Sequence, residues 1–140
     1  RKKDLVKLQH GEYISLGKVE SELKTCPFVE NACVIADSTK TYCVALIAPA
    51  EIGFKNLAAS VGLSGPFEVL CDSPDVQKIA LKSIQDHGVK CKLAKYEIPT
   101  MITLCKDLWT PESELVTAAF KIKRRELHMK YKADITRMYT

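Results

Sequence analysis

Long hydrophobic runs are missing from this 140-residue chain. No stretch approaches the roughly 18 uninterrupted apolar residues that a membrane-spanning helix needs, and no apolar signal-peptide region opens the sequence. Hydrophobic residues still make up 46% of the chain and charged residues 27%, a balance typical of a folded globular domain and not of a disordered segment. Because the first residue is Arg1 and not Met, we expect the chain to be part of a longer protein.

The chain also lacks the common sequence signatures of a complete active site. It contains no glycine-rich phosphate loop of the GxxxxGK[ST] type and no serine-elbow motif. Its six cysteines form no CxxC pair, and its three histidines have no metal-ligand spacing, so no metal site is predicted. Most cysteines lie in apolar stretches, which favours reduced core residues over disulfides or metal ligands. His87 falls near the apolar stripe of a predicted helix and is interpreted as structural, with a catalytic role as the alternative.

Positive charge gathers at both ends of the chain, although the net charge is only +4. Positions 1–10 contain four basic residues and one acidic residue, and positions 121–140 contain seven basic residues and two acidic residues. Such clusters suit an anionic partner, but they also occur on solvated helix faces. No RNA-recognition or zinc-finger signature is present, and no aromatic residues alternate with the basic cluster. We therefore expect no nucleic-acid partner; a freestanding basic module for nucleic acid or an acidic membrane surface remains the alternative function.

The hydrophobic pattern predicts one α+β domain over residues 1–140. Strands are predicted at residues 4–8, 13–16, 32–36, 42–48 and 101–105, and helices at residues 17–25, 51–60, 74–88 and 124–131. The first two strands predict a small N-terminal β-hairpin, and the other three a small antiparallel sheet with helices flanking it. Ser15 and Ser73 are the predicted helix caps. The third helix could continue to about residue 95 and the last to Met138, and residues 112–120 stay unassigned.

Two segments near the ends of the chain carry its most specific pattern. Residues 1–20, RKKDLVKLQHGEYISLGKVE, match the form GR-x-[DK]-D-x-[IV]-K-x-x-G-x-x-[IV]-x-x-x-E-[IV]-E, and residues 115–127, LVTAAFKIKRREL, match PKT-x-x-GK-[IV]-x-R more loosely. They resemble the eighth and tenth core motifs of adenylate-forming enzymes, in the form typical of long-chain acyl-CoA synthetases. The chain thus resembles the C-terminal domain of a long-chain fatty-acid–CoA ligase. It departs from the motifs at Phe120, where a glycine is usual, and in a turn before Gly11 that is one residue longer.

The resemblance implies a two-step reaction of a full-length enzyme that uses ATP, Mg²⁺ and CoA. A fatty-acid carboxylate attacks the α-phosphate of MgATP to give acyl-adenylate and pyrophosphate, and the CoA thiol then attacks the acyl carbonyl and expels AMP. The resemblance places the phosphate loop, most of the fatty-acid tunnel and the magnesium ligands in a large N-terminal domain, which this chain does not contain. The small domain is then expected to hold no cofactor and to be inactive alone. Its implied partners are that N-terminal domain, a long-chain fatty acid, ATP and CoA.

The same resemblance implies roles for five residues. Lys121 would be the catalytic lysine of adenylation, and Arg1 would bind the ribose hydroxyls of ATP or AMP. Lys3 would be the hinge about which the domain turns between the half-reactions, and Gly11 and Glu12 would form the loop that faces CoA. The ordinary alternatives are that Arg1 is only a chain-terminal arginine, that Lys3 and Lys121 are only exposed lysines, and that Gly11 only forms a tight turn.

The resemblance also suggests where the other prominent residues and the whole enzyme lie. Lys123, Arg124 and Arg125 are interpreted as a structural or domain-facing basic surface, and Trp109 as a packing anchor. The full-length enzyme is expected on the cytosolic face of an intracellular membrane, such as the endoplasmic reticulum or the outer mitochondrial membrane. It would attach through segments outside this chain, while this domain would be soluble and cytosolic.

Overall fold

A two-stranded hairpin and a three-stranded sheet organise residues 5–140, which are the part of the chain that the computed structural model describes. The strands are β1 (Leu5–Lys7), β2 (Tyr13–Ser15), β3 (Val29–Ala36), β4 (Cys43–Pro49) and β5 (Ile102–Leu104). The α-helices are α1 (Leu16–Leu23), α2 (Glu51–Ala59), α3 (Phe67–Asp72), α4 (Pro74–Lys90), α5 (Arg124–Lys130) and α6 (Lys132–Tyr139). The predicted α+β class, with its N-terminal hairpin and flanking helices, is confirmed. Arg1 and Lys3 lie outside the described residues.

The larger sheet has the order β3–β4–β5, and its strand directions differ from the prediction at one edge. β3 and β4 form the expected antiparallel hairpin. β5 runs parallel to β4, with Ala45 opposite Ile102 and Ile47 opposite Leu104, so the expectation of a fully antiparallel sheet is wrong here. The chain between β4 and β5 contains α2, α3 and α4, and such a long helical crossover returns the next strand in the same direction.

Both faces of the larger sheet are buried, as the continuous apolar runs predicted. Ala32 and Val34 of β3 belong to a core cluster with residues of α1, α2 and α4. Cys33 and Ile35 point to the opposite face, where they join a second cluster that includes Leu127 of α5. This alternation follows from the two-residue period of a strand. Residues 105–140 therefore cover one face of the sheet, and the helices that precede β5 cover the other.

Several helix boundaries depart from the prediction. The short helix α3 was not predicted. α4 continues through Gly88 and ends at Lys90, between the two ends that the pattern left open, residue 88 and about residue 95. Ser73 caps α4 through its hydroxyl, which accepts from the Val76 N–H at 3.4 Å, whereas Ser15 precedes α1 without a side-chain hydrogen bond. The C-terminal helix is interrupted at Tyr131 and resumes as α6. None of the helices within residues 5–140 has the length and apolar character needed to cross a membrane.

The side chains interpreted as structural take up packing positions. Five of the six cysteines are buried and Cys91 is partly exposed; burial raises the pKa of the Cys43 thiol to about 12. His87 lies 2.6 Å from the Thr25 hydroxyl and so links α4 to the residues after α1. Trp109 is buried and donates through Nε1 to the Tyr131 hydroxyl at 3.2 Å, which supports its interpretation as a packing anchor.

We predict that Gly53→Ala destabilises the chain, although alanine favours helices. A Cβ at position 53 in α2 would overlap the Pro27 carbonyl oxygen and lie 3.0 Å from Phe28 Cα. Because backbone must move to make room, we expect the free energy of unfolding to fall by about 1–3 kcal/mol, measured by urea unfolding. Asn56→Ala, at an exposed position of α2, is the control and should be neutral or slightly stabilising. A more stable Gly53→Ala variant would contradict this packing of α2.

Candidate functional site

Lys121 lies in a tight hairpin loop between Val116 and Ile122, which form an antiparallel bridge. The Thr117 N–H donates to the Lys121 carbonyl oxygen at 2.8 Å, and the Phe120 N–H donates to the Thr117 carbonyl oxygen at 2.8 Å. The Lys121 N–H donates to the Thr117 hydroxyl at 3.2 Å. These bonds fix the backbone at Lys121, while the residue itself is exposed.

Phe120, directly before Lys121, adopts a left-handed backbone conformation with φ of 61°. A turn followed by one left-handed residue is a common three-residue hairpin loop, and glycine is the usual residue at the left-handed position. The usual motif has a glycine at this place. The departure at Phe120 therefore keeps the loop geometry, but with a residue that adopts it at a cost of about 1–2 kcal/mol.

An open groove of about 450 Å³ contains Lys121 together with Glu20, Lys24, Asn31 and Arg124. Arg124 and Glu20 form an ion pair, with Nη1 to Oε2 at 2.7 Å and Nη2 to Oε1 at 3.0 Å. Their charges therefore compensate each other, and the charge that remains on the lining comes from Lys24 and Lys121. A groove of this kind suits a phosphate or carboxylate group.

A larger cavity, of about 860 Å³, borders Phe120 of the same loop but not Lys121. Its lining combines the apolar Leu108 and Trp109 with charged residues such as Lys106 and Asp107. Three lysines and four acidic residues line it, so it lacks the positive character of the smaller groove. The candidate site is therefore the groove that contains Lys121.

Gly11 and Glu12, the predicted CoA-facing residues, belong to a loop of the same geometry. The Leu8 N–H donates to the Glu12 carbonyl oxygen at 2.8 Å, and the Gly11 N–H donates to the Leu8 carbonyl oxygen at 2.9 Å. Gly11 takes the left-handed position with φ of 96°. A Cβ there would meet no atom of this chain within 4 Å. Within the domain, backbone conformation and not lack of space is what requires glycine at position 11.

The loop that contains Gly11 is attached to the turn between β3 and β4. The Gln9 N–H donates to the Lys40 carbonyl oxygen at 2.9 Å. The His10 ring packs edge-on against Tyr96, with centroids 5.9 Å apart. The position of the loop is thus fixed by contacts of the two residues that precede Gly11.

The structure does not bring the Gly11 loop and the Lys121 loop together. The Lys121 loop contacts the beginning of β3, where Asn31 Nδ2 donates to the Phe120 carbonyl oxygen at 3.4 Å. The Gly11 loop contacts Lys40, beyond the other end of β3 at Ala36. Ala36 lies five positions after Asn31 along the strand, which corresponds to roughly 16 Å. The two predicted functional loops therefore lie at opposite ends of the β3–β4 hairpin.

Comparison with curated proteins identifies relatives along the whole chain. Long chain acyl-CoA synthetase 8 of Arabidopsis thaliana is 44% identical over 140 residues, which are 99% of this chain and 19% of that protein. Long-chain-fatty-acid–CoA ligase 1 of Schizosaccharomyces pombe is 38% identical over 142 residues, which are 99% of this chain and 21% of that protein. The chain is a relative of the long-chain acyl-CoA synthetases. It spans about a fifth of the length of these proteins.

Comparison with solved structures identifies the fold with a domain of adenylate-forming enzymes. The A domain of a carboxylic acid reductase from Segniliparus rugosus, solved with AMP and a co-purified carboxylic acid, matches 99% of this chain with a TM-score of 0.81 and 25% identity. This chain covers 20% of that structure. Together, the sequence and the fold show that this chain corresponds to the small C-terminal domain of such enzymes. No protein-family model matches the sequence.

Sequence reasoning missed the partners that surround Lys121. Glu20 closes the first motif and Arg124 closes the second, but the motifs give no sign that these side chains meet. The expected structural role of the basic segment is confirmed for Arg124, which is half-buried and paired.

Within residues 5–140, no group of three or more His, Cys, Asp or Glu side chains could hold a metal ion.

We predict that Phe120→Gly is more stable than Phe120→Ala by up to about 1 kcal/mol. Both variants lose the ring, so the difference reports the left-handed backbone at position 120. Unfolding midpoints in urea would measure it. Ala119→Gly is the control, because Ala119 has a negative φ and should lose about 0.4–1 kcal/mol. Equal or greater stability of Phe120→Ala would mean that residue 120 is not left-handed in solution.

Proposed function

We propose that this chain is the mobile C-terminal domain of an ATP-dependent long-chain fatty-acid–CoA ligase. The support is the similarity of the whole chain to long-chain acyl-CoA synthetases, combined with the position of Lys121. Its backbone is fixed in a hairpin loop, and the residue is exposed in a groove of positive charge. A large N-terminal domain of the same enzyme is the proposed partner, and a long-chain fatty acid, ATP and CoA are the proposed substrates.

In the first half-reaction, we assign Lys121 to the adenylation transition state. Negative charge then gathers on the fatty-acid carboxylate and on the α-phosphate of ATP. The lysine ammonium is a compact charge on a flexible stem and can contact an oxygen of each group. A preorganised cation at this point lowers the barrier because the charge that it meets is greatest in the transition state. Arg1 would bind the ribose hydroxyls, and Mg²⁺, held by the N-terminal domain, would add positive charge at the phosphates.

In the second half-reaction, we assign the Gly11 loop to the CoA side of the active site. Gly11 and Glu12 lie at the opposite end of the β3–β4 hairpin from Lys121. A single placement of the domain therefore presents one loop or the other to a common active site. Rotation about Lys3 between the half-reactions would exchange the two loops. The opposite positions of the loops are the observation that carries this proposal.

The alternative function, a freestanding basic module, has less support from the charges. Three of the seven basic residues in positions 121–140 are in ion pairs. Arg124 pairs with Glu20, Lys130 with Asp107, and Arg137 with Asp134. Part of the C-terminal positive charge is thus compensated within the domain, which is unfavourable for a surface that binds nucleic acid or acidic lipid. Membrane attachment of the intact ligase through segments outside this chain stays a prediction.

Lys121→Ala in the intact enzyme tests the proposed function. We expect adenylation to fall on the order of 10²-fold or more, which is the loss typical of one preorganised group. ATP–pyrophosphate exchange with palmitate would measure it. Thioester formation from supplied acyl-adenylate should stay within several-fold of normal, since Lys121 is then away from the reacting atoms. Lys123→Ala, at an exposed position two residues further on, should change neither step much. Unchanged exchange, or equal loss of both steps, would exclude Lys121 as the adenylation lysine.

The proposed hinge is tested by Lys3→Pro in the intact enzyme. Proline fixes φ near −65° and therefore hinders rotation about residue 3. We expect adenylation to survive largely, while thioester formation from supplied acyl-adenylate falls severalfold or more. The two half-reactions would be assayed separately, with Lys3→Ala as the control that removes the side chain and keeps the backbone free. Parallel loss of both half-reactions would point to general damage instead of a hinge.

A further inference from the structure

β3 is the outer strand of its sheet, so its far edge has no neighbouring strand among the described residues. At Val34, two side chains bind the backbone polar groups that face this edge. The Val34 N–H donates to Glu20 Oε2 at 2.8 Å, and the Val34 carbonyl oxygen accepts from Arg124 Nη1 at 3.3 Å. The Glu20–Arg124 pair thereby makes the two hydrogen bonds that a further strand would make. It joins α1 and the first residue of α5 to one point on the sheet.

The geometry of this pair is closely defined. Arg124 Nη1 lies 2.7 Å from Glu20 Oε2, and Arg124 Nη2 lies 3.0 Å from Glu20 Oε1. The Glu20 side chain is 9% exposed and that of Arg124 is 27% exposed. The nearby Cys33 thiol, 3.7 Å from Arg124 Nη1, adds no charge, because burial raises its pKa to about 12. Two parallel charge-assisted bonds in a largely buried site restrict orientation as well as distance.

Lys121 lies between this pair and a second contact with the same strand edge. On one side, Asn31 of β3 donates to the Phe120 carbonyl oxygen. On the other side, Arg124 follows Lys121 by three residues and is held at Val34. The loop is therefore attached to β3 on both sides of Lys121, at strand positions three residues apart. Its backbone cannot slide along the edge without breaking one of these contacts.

We propose that Glu20 is a positioning residue for adenylation, which acts by holding Arg124 and, through it, the Lys121 loop against β3. The inference rests on the proposed role of Lys121. A displacement of about 1 Å in a reacting group can reduce a rate by as much as 10²-fold. Glu20 contacts no substrate in this role. Its effect is expected only in the half-reaction that uses Lys121.

Glu20→Gln in the intact enzyme is the test. The glutamine keeps the size of the side chain and an oxygen for the Val34 N–H, but it loses the charge that holds the Arg124 fork. We expect kcat of ATP–pyrophosphate exchange to fall at least 10-fold with little change in KM for ATP. Thioester formation from supplied acyl-adenylate should stay within threefold. Combined with Lys121→Ala, Glu20→Gln should cause no further loss of exchange, because the group that it positions is already gone.

Glu97→Gln is the matched control. The Glu97 side chain is 8% exposed against 9% for that of Glu20. It likewise accepts a backbone N–H, that of Ala94 at 2.8 Å, and pairs with a cation, Lys18 at 3.1 Å. Within residues 5–140, Glu97 makes no hydrogen bond or ion pair with the Lys121 loop, and its variant should retain exchange within threefold. Equal losses of exchange in Glu20→Gln and Glu97→Gln, or equal loss of both half-reactions in Glu20→Gln, would overturn the proposal.

Arg124→Lys provides a second variant in case Glu20→Gln does not fold, as judged by thermal melting. Lysine keeps the charge but cannot bind both Glu20 oxygens in a fork. A loss of exchange of at least threefold, with thioester formation preserved, supports the proposal, and unchanged exchange overturns it. The Lys121→Ala result distinguishes failure of the proposed function from failure of the positioning role. If that variant keeps normal exchange, the proposed function fails. If Lys121→Ala is selective and Glu20→Gln is not, only the positioning role fails.

Discussion

The β3–β4 hairpin is the constraint on which the rest of the domain depends, because both of its faces are apolar and must be covered. One face is covered by helices that precede β5, and the other by residues 105–140. Trp109, Leu127 and Met138 bury their side chains on that second face. The chain between Trp109 and Leu127 stays on this face through Leu115 and Val116, and the loop that contains Lys121 reaches β3 at Asn31. Packing of the C-terminal segment thus determines which part of the domain presents the lysine.

The free edge of β3 adds a second requirement, since buried backbone polar groups need hydrogen-bond partners. Glu20 and Arg124 satisfy it at Val34 with side chains in place of a strand. Burying two charges is expensive, and removing one partner of such a pair generally costs about 3–5 kcal/mol. Arginine suits this position better than lysine because its planar fork binds the carboxylate and still reaches the carbonyl oxygen. The pair that protects the edge is also what ties the Lys121 loop to the sheet.

The sequence predicted well what depends on local pattern and poorly what depends on the path of the chain. The apolar run at 42–48 indicated a strand buried on both faces, and β4 is such a strand. The helices predicted at 51–60 and 74–88 gave the crossover before β5, but the strand that β5 pairs with, and hence its parallel direction, is set by the path of the chain. Glu20 and Arg124 are 104 residues apart, and each is an ordinary charged residue in its own segment. Phe120 adopts a left-handed backbone conformation opposite to its intrinsic preference, and nothing in its own segment predicts it.

The two loops that are proposed to face the substrates share one geometry, which constrains how the proposed ligase would exchange them. Each loop has one left-handed residue, Gly11 or Phe120, directly before its last residue, Glu12 or Lys121. The loops are fixed to opposite ends of one hairpin, and that hairpin is packed on both faces. Bending within the domain could not exchange the loops without breaking this core. In the proposed enzyme the exchange would therefore take place where the domain joins the rest of the chain, which is where the resemblance places the hinge residue Lys3.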